Sequence, residues 1–382
     1  MKCRELFEKI ETLEDGYIQV WEDVCNIESP TDLKAGVDAA GAYFLRMARA
    51  RGWETEVLEL ETAGNAICIT MNPQVNAPSV VFSGHIDTVH PVGAFGSPAV
   101  RKDDKWIYGP GVVDCKGGVV ACFLAMDALD RCGFRSRPVR LIIQSDEETG
   151  SRNSEKKTVE FMCRKAEGAV AVLYTESGDG KSAVLMRKGI LRYGFKVYGK
   201  AVHGAYCPDG ANAIAEAAHK ILKLEKMKDP KGLTCNCGVI QGGTTVNTVA
   251  AECSFEADIR FASHEEYLLA IKTVEQIAAD TAVEGCSCVL ERMSERPAMV
   301  WTQKNQTLLD TVNRIYQENG MPQLQAKGRM GGSDASYITE AGIPCVDNLG
   351  VNGGKIHSRE EYAELASLAA SAKRLAAVAY CI

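Results

Sequence analysis

No apolar run in this chain reaches the length of a membrane span, which excludes a helical anchor within it. The opening residues, MKCRELFEKIETLEDG, alternate charge with apolar side chains and lack the apolar centre of a signal peptide. They predict an amphipathic helix, and with it a place in the cytoplasm. A basic tail or basic run is missing too, and the formal net charge is −7. That balance argues against nucleic acid or an anionic membrane as partner. Internal repeats and low-complexity tracts are absent. Cysteine, by contrast, is plentiful: there are 15, an odd number. They are scattered through strand-like and helix-like stretches, as packed thiols are, and not clustered as in a small disulfide-stapled fold. Cys235/Cys237 and Cys286/Cys288 have one residue between them, where a zinc-thiolate pair has two or more. Reduced, structural thiols are expected.

With 382 residues, 46% of them hydrophobic and 24% charged, the chain can fill two domains, each with a core. Up to about residue 185, helix-like and strand-like stretches alternate. Helical periodicity marks roughly 4–25 and 32–51, with Pro30-Thr31-Asp32 as turn and cap between them. The runs AICITM, SVVFSGH, LIIQSD and AVLYTE read as short buried strands, and a helix follows from about 117 to 131. This pattern predicts an α/β domain with a mostly parallel sheet, covered on both faces. From about 186 the order becomes β-α-β-β-α-β, a ferredoxin-like arrangement, with Ser263 and Glu266 spaced as a capping box. Helix–strand alternation resumes after about 295. The expectation is a discontinuous domain, 1–185 with 296–382, interrupted by an inserted α+β domain over 186–295.

Five side chains able to bind metal lie where an apolar run gives way to a polar or Gly-rich turn: His85, Asp114, Glu148, Glu176 and His357. Two imidazoles and three carboxylates are what two adjacent divalent ions need if one carboxylate is shared. His85 and Asp87 read either as a ligand with the carboxylate that fixes its tautomer, or as a surface ion pair. Asp114, in GPGVVDCKGG, reads as a shared ligand or equally as a helix cap, with Gly117 and Gly118 allowing close backbone approach and special dihedrals. The consecutive acids Asp146-Glu147-Glu148 would repel one another at a buried strand end unless cations neutralise them. Glu148 would then be a ligand and Glu147 a neighbouring base; the alternative is a solvated acidic loop. Glu176 and His357 are weak singly and gain force from the set. Cys115 is left out, because adjacent residues in an extended turn diverge. The other histidines serve as a control: His219 and His264 fall in helical contexts, His90 beside a proline, none with an acidic partner in a comparable turn.

These segments resemble the zinc-dependent exopeptidase and deacylase family of glutamate carboxypeptidase, succinyl-diaminopimelate desuccinylase, acetylornithine deacetylase and aminoacylase. The resemblance covers nearly the whole chain. It implies two zinc ions (cobalt or manganese being alternatives), with His85 and Glu176 on one, Glu148 and His357 on the other, and Asp114 bridging. It makes Glu147 the general base and Asp87 the support of the first histidine. In the inserted lid and dimerisation domain it implies that His203, in AVHGA, enters the active site across a homodimer interface. Asn247 would lie near the substrate carbonyl, Arg260 would grip a substrate carboxylate, and Gly332 and Ser333 would line the pocket. Residue by residue, His203 reads alternatively as a surface loop residue, Asn247 as a turn former and Arg260 as a strand-face ion pair. Two positions depart from the family pattern: Pro110, where a basic or small residue is frequent, and Cys115, where Asp or Met is usual.

The expected reaction is metal-assisted hydrolysis of an amide bond next to a free carboxylate, carboxypeptidase-like, on a small peptide. An N-acyl amino acid deacylase is the nearest alternative. A metal-binding scaffold without catalysis fits less well, since Glu147 is retained. Phosphoester hydrolysis would want several basic residues at the metal segments, which offer mainly Lys116 and Arg359.

Overall fold

A computed structural model of the chain describes residues 3–229 and 231–382. It divides into two units, one made of the chain up to Leu185 with Trp301–Gly328 and Ser333–Ile382, the other of Met186–Val300 with Arg329–Gly332.

The first unit is built on a six-stranded sheet in the order Glu54–Leu58, Ala66–Met71, Val139–Gln144, Val80–His85, Ala171–Tyr174, Cys345–Val346. Ala66–Met71 and Val80–His85 are buried at every residue, as strands covered on both faces must be. The sheet is mixed, and three of its five strand pairings are parallel, in keeping with the mostly parallel sheet expected. Val139–Gln144, Val80–His85, Ala171–Tyr174 and Cys345–Val346 run parallel, whereas the other two strands pair antiparallel. Glu54–Leu58 has no strong apolar run and is half-exposed, which is why its sequence gave little sign of a strand.

The helix Lys116–Arg131 is buried from Lys116 to Leu129 and packs between the terminal helices Cys3–Asn26 and Ser367–Cys381. A helix apolar nearly all round belongs inside a core. Gly117 and Gly118 serve close approach alone, since neither has a positive φ. A Cβ on Gly118 would lie 2.2 Å from the Thr175 carbonyl oxygen, and one on Gly117 2.3 Å from that of Val112. Pro30-Thr31-Asp32 makes a turn but no cap: Leu33 takes the N-cap position of Lys34–Arg49 without a side-chain bond.

Asp127 gathers the helices behind the sheet. Its carboxylate accepts from Tyr17 Oη at 2.8 Å, Arg51 Nη2 at 2.8 Å and Arg131 Nε at 2.9 Å. Burial alone would raise its pKa, but the bonds from Arg51, Arg131 and Tyr17 hold it below the ordinary carboxylate value. A carboxyl depressed in the folded state adds stability above its unfolded pKa and loses it as pH falls through the folded one. Asp127→Asn is therefore expected to cost about 2–3 kcal/mol at pH 7. In thermal scans its deficit against wild type should shrink below about pH 4. An equal deficit at all pH values would exclude the charge as the cause.

The second unit has the order β-α-β-β-α-β, with strands Gly189–Tyr198, Thr234–Gly242, Glu252–Phe261 and Ser287–Arg296 and helices Ala213–Leu224 and His264–Ala279. Its antiparallel sheet runs Thr234–Gly242, Glu252–Phe261, Gly189–Tyr198, Ser287–Arg296. Alternate residues of the two central strands, among them Phe195 and Phe255 stacked at 4.4 Å, meet Ala217, Leu224, Ala270 and Val274 of the helices. Ser263 caps the second helix by accepting from Glu266 N at 3.2 Å. The Glu266 carboxylate reaches back to Ala262 N, one residue beyond a regular capping box.

Among the described residues no helix is long and apolar enough to cross a membrane. All 15 cysteines are free thiols.

Candidate metal centre

Strand register assembles one half of the centre. His85 ends its strand opposite Gln144, so the acids 146–148 leave the sheet at the same edge. Ser83 pairs with Tyr174, and two residues further along each strand stand His85 and Glu176. This is the carboxyl end of the parallel strands, where ligands collect in such sheets. The other half comes from a small sheet. Tyr362–Glu364 pairs with Gly353–Gly354 on one side and Trp106–Tyr108 on the other. His357 lies in the loop between the first two, and the third strand leads into the turn that carries Asp114. His357 sits at φ 60°, a region non-glycine side chains rarely occupy. The peptide bond between Asp114 and Cys115 is cis.

The five residues converge as two trios that share Asp114: His85, Asp114 and Glu176, and Asp114, Glu148 and His357. Asp114 Oδ1 is 3.3 Å from His85 Nε2, which is 3.9 Å from Glu176 Oε1. Asp114 Oδ2 is 3.4 Å from His357 Nε2, which is 3.1 Å from Glu148 Oε2. One carboxylate thus turns an oxygen towards each trio. Asp114 caps no helix; Cys115 is the N-cap of Lys116–Arg131 and makes no side-chain capping bond.

His85 and Asp87 are 1% and 0% exposed, so they form no surface pair. His85 Nδ1 lies 3.0 Å from the Asp87 carbonyl oxygen and 3.3 Å from its Oδ1, leaving Nε2 for the centre. The Asp87 carboxylate also accepts from Glu147 N at 3.2 Å, Glu148 N at 3.1 Å and Thr31 Oγ1 at 2.8 Å. It therefore fixes a histidine and the acidic turn together. Glu147 opens that turn and is buried, as a solvated loop acid would not be. Cys115 faces the backbone of His85, accepting from its N–H at 3.0 Å, and joins neither trio.

Burial opposes charge on His85, yet Cys115, Asp114 and Asp87 hold its pKa well above the ordinary value. Hydrogen bonds to Asp114 and Glu148 push His357 up to about 10. Burial pushes Glu148 up to about 7 against the bond from His357, while the two imidazoles, outweighing burial, hold Asp114 below the usual range. Such a field of carboxylates favours cations. The donor set, nitrogen and oxygen in two trios with a shared carboxylate, fits divalent ions of the zinc, cobalt or manganese kind.

The family model of "Peptidase family M20/M25/M40" matches residues 81–380. The chain belongs to that family. Among curated proteins it is 27% identical to carboxypeptidase G2 of Pseudomonas sp. (strain RS-16) over 370 residues, covering 95% of this chain and 88% of that protein. It is 27% identical to succinyl-diaminopimelate desuccinylase of Rickettsia felis over 381 residues, covering 92% and 96%. Among solved structures, aminopeptidase PepT of Bacillus cereus superposes with a TM-score of 0.77 at 21% identity, covering 96% of this chain and 97% of that one. This M20/M25/M40-family chain is a hydrolytic enzyme of the metallopeptidase and amidohydrolase kind.

Of the remaining expected residues, His203, Asn247, Arg260 and Gly332 lie in the second unit. His203 and Asn247 are exposed neighbours: Gly204 N donates to the Asn247 carbonyl oxygen at 2.7 Å, and His203 Nδ1 accepts from Ala205 N at 3.2 Å. Arg260 is engaged by Asp258, through Nε at 2.5 Å and Nη2 at 3.0 Å. A Cβ on Gly332 would stand 3.0 Å from Arg296 Nη1. Ser333, in the first unit and fully buried, accepts from Ala335 N at 3.2 Å and so serves its own turn.

Sequence reasoning missed Thr31, Glu361 and His90. The control histidine His90 has an acidic partner after all: its Nε2 is 2.9 Å from Glu361 Oε2. The proline beside it hid this, because Glu361 lies 271 residues away in sequence. The only available signal was a second acid four residues after His357, in HSREEY.

Proposed function

We propose that the chain is a di-zinc, carboxypeptidase-like hydrolase that cleaves an amide bond next to a free carboxylate on a small peptide. The observation that carries this reading is the orientation of Asp114, one oxygen towards each donor trio. His85, Asp114 and Glu176 would hold one ion, and Asp114, Glu148 and His357 the other. Bound divalent ions supply Lewis acidity, drawing the pKa of water towards about 7 and polarising a carbonyl. Glu147, held at its N–H by Asp87, would accept the proton of the attacking water and return it to the leaving amine. His203 and Asn247 offer polar groups for a carbonyl oxygen as charge develops on it. Arg260 would exchange Asp258 for the substrate carboxylate, keeping a two-pronged bond. Gly332 and Ser333 would line the pocket through backbone, since the Ser333 hydroxyl is occupied.

A homodimer through the second unit is part of the proposal. Its support is the edge strand Thr234–Gly242, which ends the sheet with Val239 and Ile240 48% and 53% exposed. A cytoplasmic location is supported by the fifteen free thiols. N-acyl amino acid deacylation is the second reading, favoured by likeness to the desuccinylase along almost the whole chain. One experiment addresses metal, dimer and reaction together: elemental analysis and mass in solution, then a panel of C-terminal-glutamate dipeptides against N-acyl amino acids. Dipeptide cleavage with two bound ions per chain supports the first reading; faster N-acyl cleavage transfers the assignment to the second. A metal-free chain that hydrolyses the panel would remove both.

A further inference from the structure

Glu361 is 1% exposed and its carboxylate is filled with donors. Oε1 accepts from Val113 N at 2.9 Å and Asp114 N at 3.1 Å. Oε2 accepts from Gly111 N at 3.2 Å and faces His90 Nε2 at 2.9 Å. Its own backbone joins in: Gly109 N donates to the Glu361 carbonyl oxygen at 3.3 Å, and Glu361 N donates to Ser358 O at 3.1 Å. A buried carboxylate is costly unless hydrogen bonds satisfy it, and here three backbone amides and an imidazole do so. Three of these partners belong to the turn that carries Asp114. The fourth, His90, follows Asp87 in the segment of His85 and rests edge-on against Phe95, with ring centres 4.9 Å apart.

We infer that Glu361 is a positioning residue of the metal centre: it sets the backbone of the Asp114 turn and ties it to the loop of His357 and the segment after His85. The inference rests on the reading of the two trios as metal ligands. Asp114 can serve both trios only if its carboxylate is held to within about 0.5 Å, and a turn this rich in glycine does not hold itself. Glu361 provides that hold from four residues beyond His357, so one side chain keeps the ligand segments in register. Glu360, next to it, points away, exposed and paired with Lys355, and supplies a control.

The test compares Glu361→Ala, Glu361→Gln and Glu360→Gln with wild type. The readouts are zinc affinity by competition with a chromophoric chelator, kcat and KM, melting temperature, and hydrogen exchange at the Val113 and Asp114 amides. Glu361→Ala is expected to lose about 10–100-fold in zinc affinity and in kcat, with KM within roughly threefold, as for loss of an outer metal-site partner. The two amides should exchange faster. Glu361→Gln should recover part of each loss, because its one oxygen still serves Val113 and Asp114. Glu360→Gln should match wild type. A folded Glu361→Ala protein with wild-type affinity and kcat overturns the inference, as does one that loses melting temperature alone. Should the alanine variant not fold, Glu361→Gln decides: wild-type affinity, kcat and exchange there overturn it equally. Wild-type protein that takes up no divalent ion overturns the metal-centre reading itself, and this is seen before any variant is compared.

Discussion

Glu147→Gln is expected to lower turnover by about 10²–10⁴ while metal content stays at the wild-type level. The side chain is buried, opens the tight turn that also carries Glu148, and has its N–H fixed by Asp87 at 3.2 Å. It belongs to neither donor trio. A glutamine keeps the volume and removes only the capacity to take a proton. Turnover should therefore fall at every substrate concentration, with KM little altered, because the lost interaction belongs to the transition state. Elemental analysis beside steady-state kinetics separates the outcomes. Near-wild-type turnover with metal bound would show that another group is the base.

Asp114→Ala should have the largest effect on binding, because it removes the one carboxylate common to both trios. Loss of affinity should exceed the roughly 10–100-fold typical of an outer partner, and both ions should be affected. Glu176→Ala or His357→Ala should each weaken one ion more than the other. The difference arises because Asp114 Oδ1 lies 3.3 Å from His85 and Oδ2 3.4 Å from His357. Calorimetric titration of metal-free protein with zinc counts the sites directly. Two intact sites in Asp114→Ala would refute the shared role.

Much of the candidate centre is legible in sequence because each candidate ligand ends a local pattern. An apolar run predicts a buried strand, and the polar residue just past it predicts the rim of a sheet, as for His85 and Glu176. The helix after Asp114 and the β-α-β-β-α-β order of the second unit were open to the same reasoning. Strand direction was not. Ala66–Met71 is as apolar as its parallel neighbours, yet it runs antiparallel to Val139–Gln144, and no local signal distinguishes the two cases. Arg260 shows a different limit. A strand-face ion pair is one of its two readings, but which reading holds, and that Asp258 two residues away is the partner, depends on side-chain geometry. Thr31, expected to help in a turn, instead spends its hydroxyl on Asp87. Glu361 and His90 were hidden for the plainest reason: their contacts depend on the pairing of Tyr362–Glu364 with Trp106–Tyr108, strands far apart in sequence.

That pairing also constrains how the protein comes into being. Synthesis runs from the amino terminus, and domains tend to fold as they emerge. Here the strand that completes the small sheet, the candidate ligand His357 and the helix Ser367–Cys381 that packs on Cys3–Asn26 all follow the second unit in sequence. A nascent chain can finish its second unit while the first still waits for its closing segment. The trio of His85, Asp114 and Glu176 is made before the second unit, whereas that of Asp114, Glu148 and His357 is complete only after it, so a chain cut within the second unit would keep every candidate donor except His357.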